Sequence, residues 1–359
     1  DTVARGARRV LAGAGRRSPR PAGAGKGGNM LIRTHAYPRA ALVGNPSDGY
    51  YGRTITFTFE NFRAETILFE SPDLEIQPTQ RDNSVFSSIN HLVEDVRLFG
   101  YYGGIRLLKA TVKCFHHYCR EQAIVLHDRN FTIRYNSNIP NLVGLAGSSA
   151  IITSCMRALL TFYGVEIPKP QLANLIRAVE NRELGIPAGL QDRVAQVYEG
   201  VVYMDFSKEL FDRQGYGRYE PLQVELPPLY IAYRTDLSEG SEVFHSNLRE
   251  RFERGDDAVT GAVRFWADLT DQARAALEAG NTVQLGALMN ANFDKRAEVC
   301  RLSEGNVKMV EAARSVGASA KFTGSGGAII GTYADEAMYD GLEAALNRLQ
   351  VKVFKPRVV

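Results

Sequence analysis

Asp192 follows a run that cannot stay helical, Gly185-Ile186-Pro187-Ala188-Gly189-Leu190-Gln191. A carboxylate at such an elbow can cap the helix that follows, or accept a proton from a reacting hydroxyl. Glu180 lies twelve residues earlier and Glu183 one turn further on. Either is a hard oxygen ligand for a divalent cation, or a solvated helix charge. Upstream, Gly144-Leu145-Ala146-Gly147-Ser148-Ser149-Ala150 carries two glycines, two serines and no large side chain. Free backbone N–H groups at the positive end of a helix dipole attract phosphate. Ser149, or Ser148, can cap, bind phosphate or reach a metal ion. A second glycine-rich run, Lys321-Phe322-Thr323-Gly324-Ser325-Gly326-Gly327, lies near the end of the chain.

The pattern around each run sets the elements that must position it. The alternating stretch 129–136 reads as a strand entering the first loop, and 148–163 as the helix leaving it. A helix over 169–184 carries Glu180, and Asp192 opens another over 192–198. Residues 33–43 read as one strand ending at Gly44. Residues 53–59 and 63–69 alternate in the strand manner, with Glu60-Asn61 as a hairpin turn. Helices are expected over 85–99 and 105–121. The second contains Cys114, His116, His117 and Cys119, whose spacing is poor for zinc, so the cysteines read as small core residues. Past residue 221 the predicted order is strand 229–233, helices at 241–254, 257–279, 282–300 and 305–316, two short strands around 319–331, helix 335–349 and strand 351–354. That order is α+β.

A chain of 359 residues suits two domains, divided here at 31–221 and 222–359. An apolar fraction of 45% and a charged fraction of 23% fit a soluble globular protein, with no apolar run long enough for a membrane span. Four irregularly spaced cysteines indicate reduced thiols and a cytoplasmic protein. The net charge of +3 is uneven. Residues 1–30 hold seven basic residues against Asp1, a net of +6, which leaves the remainder at −3. A mildly acidic body argues against nucleic-acid binding. The basic Gly/Ala/Pro/Arg segment reads as disordered: a transit peptide, a disordered tail, or an extension upstream of a native start at Met30.

Three separated stretches together resemble the GHMP small-molecule kinases. Ala36-Tyr37-Pro38-Arg39-Ala40-Ala41-Leu42-Val43-Gly44-Asn45-Pro46-Ser47-Asp48 resembles their first motif. Pro140 to Ala150 is similar to their phosphate loop, and Lys321 to Gly327 to their C-terminal glycine-rich motif. The three occur in the family's order across residues 33–359. Further runs, among them GNPSDGYYGRTI (44–55), GIPAGLQDRVAQVYEG (185–200) and KFTGSGGA (321–328), resemble the glucuronokinase group. Ala146-Gly147 puts one more residue before the serine pair than the wider family has, as that group does.

The resemblance implies a two-domain α+β GHMP kinase fold, with an N-terminal ribosomal-S5-domain-2-like domain and a C-terminal ferredoxin-like domain. It implies an ATP- and Mg²⁺-dependent kinase acting on the anomeric hydroxyl of a sugar acid, D-glucuronate first. Galacturonate, a neutral aldose, a mevalonate-like alcohol, or a non-catalytic nucleotide-binding role are the alternatives. ATP would meet Pro140, Gly144, Leu145, Ala146, Gly147, Ser148, Ser149 and Ala150, with Thr323, Gly324, Ser325 and Gly326 approaching the transferred phosphate. Ser149 and Glu180 would hold Mg²⁺. Asp192 would be the base, and Arg39 would stabilise developing charge. Asn45 and Asp48 would meet the sugar. Asn45 stands where galactokinases carry a glutamate, which suits an anionic substrate. Arg53, Arg106 and Arg193 are the candidates for its carboxylate, and Tyr50, Tyr51, Tyr101 and Tyr102 for its ring. The oligomeric state is not legible.

Overall fold

The computed structural model describes residues 30–79, 82, 87–89, 103–235 and 248–359. The expectations of disorder over residues 1–29, most of the helix over 85–99, Tyr101, Tyr102 and residues 241–247 lie outside them. Residues 31–359 form one compact unit.

Among the described residues, three four-stranded sheets carry the fold. The first orders its strands β1 (Leu31–Ala36), β4 (Ala64–Ser71), β6 (Asn130–Ser137), β5 (Glu75–Ile76). The second orders β2 (Arg39–Val43), β3 (Arg53–Thr58), β7 (Val201–Asp205), β8 (Arg218–Pro221). The third orders β10 (Lys321–Phe322), β11 (Ala328–Thr332), β9 (Leu229–Tyr233), β12 (Lys352–Phe354). Helices α1 (Gly104–Glu121), α2 (Gly147–Tyr163), α3 (Lys169–Ala178), α4 (Gln191–Tyr198) and α5 (Lys208–Gln214) belong to the first part of the chain. Helices α6 (Asp257–Glu278), α7 (Thr282–Val299), α8 (Glu304–Ser315) and α9 (Glu336–Asn347) follow β9. None of the described helices is long and apolar enough to cross a membrane.

Two sequence expectations are corrected. The strand read over 33–43 is two strands in different sheets, β1 and β2, divided at Tyr37-Pro38. Pro38 has no N–H to continue a ladder, and it restricts the residue before it. The hairpin at Glu60-Asn61 does not form. β3 pairs with β2 and β7, and β4 with β1 and β6. The chain changes sheets at the same level on both passes. Phe59, Phe62, Tyr233 and Phe354 fill that corner, with ring centroids 5.4–6.5 Å apart. Packing these rings outweighs the local turn preference: Phe59 is fully buried, which for a large apolar side chain contributes about 1.5–3 kcal/mol, and the other three are half-buried against it.

One apolar core runs through both parts of the chain. Leu42, Val43, Ile55, Phe57, Val143 and Leu145 pack in the same cluster as Ile231, Leu269, Met289 and Ile330. Every residue of β2 is buried, because helices or sheet cover both of its faces. Cys114 and Cys119 are buried on α1 while His116 and His117 face solvent, as core cysteines require.

Candidate active site

The first glycine-rich loop ends β6 and starts α2. Ala146 takes a left-handed conformation (φ 64°), and the helix begins at Gly147. Val143, Leu145 and Ala150 are anchored in the core, so the backbone between them is held while its polar groups stay at the surface of the cleft. Gln196 of α4 fastens the loop from below. Its Nε2 donates to the carbonyls of Ala146 (3.0 Å) and Tyr37 (3.1 Å). Ser149 is buried and donates its hydroxyl to the Ala146 carbonyl at 3.1 Å. Ser148, on the same first turn, is exposed. Pro140 is half-buried at the loop's entry.

The second glycine-rich loop, between β10 and β11, lies directly on the first. A Cβ at Gly144 (φ +71°) would fall 2.9 Å from the Gly326 carbonyl oxygen, and one at Gly324 only 2.5 Å from that of Gly144. Only glycine lets two backbones approach so closely. Arg296 of α7 grips this loop, donating from Nη1 to the Gly324 carbonyl (2.7 Å) and from Nη2 to that of Ser325 (2.8 Å). Asn306 accepts from the Gly327 N–H at 2.8 Å. Lys321 is turned away from the cleft. Its buried ammonium donates to the carbonyls of Ala41 (2.7 Å) and Phe322 (2.8 Å), and burial pushes its pKa well below the usual lysine range. Its work is to tie β10 to β2.

Where the loops meet, β2 presents Arg39. Its Nε lies 2.7 Å from Asp192 Oδ1, and its Nη1 donates to the carbonyls of Gly144 and Thr323. One buried guanidinium thus joins both loops to the carboxylate. Asp192 sits in the first turn of α4, where a helix dipole favours negative charge. Its Oδ2 is 3.3 Å from Nη1 of Arg193, which in turn pairs with Glu180. Burial lowers the Arg193 pKa to about 9.

Asp48 faces the same elbow. A Cβ at Gly189 would fall 2.4 Å from its Oδ2. Its pKa is raised to about 6, first by burial and then by the charge of Asp192. Asn45 is buried, with Nδ2 3.4–3.5 Å from the carbonyls of Phe322 and Gly324, while Asn292 of α7 clamps the Gly44-Asn45 backbone, its Oδ1 accepting from the Gly44 N–H (2.6 Å) and its Nδ2 donating to the Asn45 carbonyl (2.9 Å).

Residues 106–200 match the family model described as the GHMP kinases N terminal domain, and residues 273–349 the one described as GHMP kinases C terminal. Probable glucuronokinase 2 of Arabidopsis thaliana is 46% identical over 322 residues, which is 87% of this chain and 87% of that protein. The chain is a GHMP kinase. Glucuronokinase 1 of Arabidopsis thaliana is 44% identical over 306 residues, covering 83% of this chain and 84% of that one. The crystal structure of Streptococcus pneumoniae phosphomevalonate kinase shares the fold, with a TM-score of 0.70 at 13% identity, covering 92% of this chain and all of that one.

The structure brings Arg39, Asp48, Asp192 and both glycine loops together around one cleft. Arg296, Gln196 and Arg177 border it too, although sequence reasoning did not single them out. For Arg296 a signal exists. Asn292 and Arg296 lie one turn apart on the face of α7 that also buries Leu285, Met289 and Phe293. Polar residues on an apolar stripe are rarely idle, because burial without a partner is costly. Gln196 and Arg177 carry no such mark.

Hydroxyl and carboxylate oxygens are the donors Mg²⁺ takes, and it keeps several waters when bound with a nucleotide. Ser148, exposed on the first turn of α2, is open to a cation in the cleft, whereas Ser149 is engaged inward. Glu180 is charge-paired with Arg193, and Glu183 with Lys113 at 2.6 Å. Among the described residues no group of three or more His, Cys, Asp or Glu side chains is placed to hold a metal by itself.

Proposed function

We propose that this chain transfers the γ-phosphate of ATP to the anomeric hydroxyl of a uronic acid, D-glucuronate first. The observation that carries the reading is the Arg39–Asp192 pair set against two abutting glycine loops. The identities to two Arabidopsis proteins named glucuronokinases support the acceptor.

In this reading the N–H groups of 144–150 and 323–327 receive the phosphates. Asp192 accepts the proton of the sugar hydroxyl as its oxygen bonds to the γ-phosphorus, the bond to the β,γ-bridging oxygen breaks, and ADP leaves. Arg39 lowers the barrier by opposing the negative charge on the attacking oxygen, and it does so without reorganising, since three protein acceptors already hold its guanidinium. A Ser148 or Ser149 hydroxyl and Glu180 would hold Mg²⁺, which would supply neutralisation of phosphate charge. Asn45 and Asp48 border the sugar.

The test is ADP release by purified protein with glucuronate, galacturonate, glucose, galactose and mevalonate, the phosphate position in the product being read by NMR. Glucuronate 1-phosphate as the favoured product supports the reading. Preferred turnover of a neutral sugar or mevalonate, or ATP binding with no turnover on any acceptor, sinks it.

A further inference from the structure

A sugar acid brings a carboxylate that a neutral aldose lacks, so the cleft of a uronate kinase needs a cation for it. The structure employs two of the candidate arginines elsewhere. Arg53 bridges Asp271 (2.7 Å) and Asp205 (3.4 Å). Arg193 is buried between Glu180 and Asp192. Arg106 lies on α1 with Nη2 3.4 Å from the Leu184 carbonyl, where it supports the elbow's far end.

Arg177 is placed differently. At the last turn of α3 its Nε donates to the Ala188 carbonyl at 3.0 Å, and Asn181 donates to the same oxygen at 3.3 Å. That fixes the stem of Arg177 on the elbow that packs against Asp48 and presents Asp192. Among the described residues its two terminal nitrogens have no hydrogen-bond partner. Arg249, from the other part of the chain, approaches the Ser47–Tyr50 turn that carries Asp48. Its guanidinium carbon lies 5.9 Å from the centre of the Tyr50 ring, and its Nη2 3.9 Å from where a Cβ on Gly49 would stand. The two guanidiniums repel. Burial and then the Arg249 charge hold Arg177 below the usual arginine range. Two cations, one on the elbow and one on the turn that carries Asp48, with no carboxylate bonded to either among the described residues, form a place that gains from an anion.

We propose that Arg177 and Arg249 form the subsite for the carboxylate of the sugar acid, with the ring reaching from there past Asp48 to Asp192. The inference rests on the reading of the chain as a uronate kinase. A guanidinium fork matches a planar carboxylate in both charge and shape. A neutral aldose would leave the half-buried Arg177 unanswered and binds less well for that reason.

Glucuronate binding without ATP, by calorimetry, and kcat/KM for glucuronate and glucose test the subsite. Arg177→Gln should weaken glucuronate binding about 30- to 100-fold. It should lower the glucuronate-to-glucose ratio of kcat/KM by a similar factor, mainly through KM, and Arg177→Lys should recover part of the loss. The affinity of Arg177→Gln for a non-hydrolysable ATP analogue, with its melting temperature, reports whether it folds. Arg249→Ser, at an exposed position, should weaken glucuronate roughly two- to fivefold even if Arg177→Gln does not fold. A wild type that prefers glucuronate, with variants that bind it as tightly, overturns the subsite alone. A wild type with no preference for glucuronate overturns the parent reading and the subsite with it.

Discussion

Arg39 and Asp192, 153 positions apart in the chain, form an ion pair with Nε 2.7 Å from Oδ1. The arginine is held at a second nitrogen as well. Nη1 donates to the carbonyls of Gly144 and Thr323, one in each glycine loop. The pair therefore sets the carboxylate's position and the separation of the loops at once. An ordinary surface salt bridge contributes about 0–1 kcal/mol and constrains little. This one is buried on the arginine side and shared among three acceptors, so breaking it disturbs the whole cleft.

Replacing Asp192 by Asn keeps the shape and removes the proton acceptor. If Asp192 is the base, kcat falls roughly 10²- to 10⁴-fold, while affinity for an ATP analogue changes little. Steady-state kinetics with glucuronate and calorimetry with the analogue separate the two effects. A variant with wild-type kcat would end the assignment of Asp192.

Gly144→Ala tests the contact between the loops. The new methyl would stand 2.9 Å from the Gly326 carbonyl oxygen, on a backbone at φ +71° that side chains rarely adopt. The loops must part, so the protein should lose about 1–3 kcal/mol of stability. ATP-analogue affinity should fall roughly tenfold in parallel. Thermal melting and binding measured on one preparation check this. Unaltered nucleotide affinity would mean that the phosphates do not sit at this junction.

Asp48 predicts a pH-dependent stability. Its folded pKa of about 6 lies above the 3.8 of a free carboxyl, chiefly from burial and then from Asp192. The folded state then binds more protons than the unfolded one between those values, so this group's contribution falls as pH rises from about 4 to about 6 and stays low above that. Asp48→Asn removes the penalty. It should stabilise the protein at pH 8 by about 1–3 kcal/mol and leave it nearly unchanged at pH 4. Equal stabilisation at both pH values, or none at pH 8, contradicts the burial argument. The same variant should lose sugar affinity if Asp48 meets the substrate.

Much of the cleft was legible in the sequence because its chemistry is carried by contiguous backbone. Gly144 to Ala150 and Thr323 to Gly327 work through N–H groups and close approach, so their small residues must be adjacent. Most helices follow from local periodicity, and α2, α6 and α7 run within one or two residues of expectation. The failures share one cause. The division of β1 from β2, and the hairpin that does not form at Glu60-Asn61, were decided by which sheet each strand joined. Sheet membership depends on contacts far apart in sequence, and turn residues alone do not encode it.

Side-chain assignment divides along the same line. The sequence by itself determined which groups the cleft contains: two glycine loops, an arginine at the start of β2 and an aspartate after an elbow. Only the tertiary structure decided how they are used. It turned Lys321 into the core, engaged Ser149 inward while leaving Ser148 exposed, and occupied Arg53 and Arg193 with carboxylates. It also brought Arg296 to the second loop and Arg177 to the elbow. A charged side chain's role depends on which partner satisfies it after burial, and burial is settled by the packed whole.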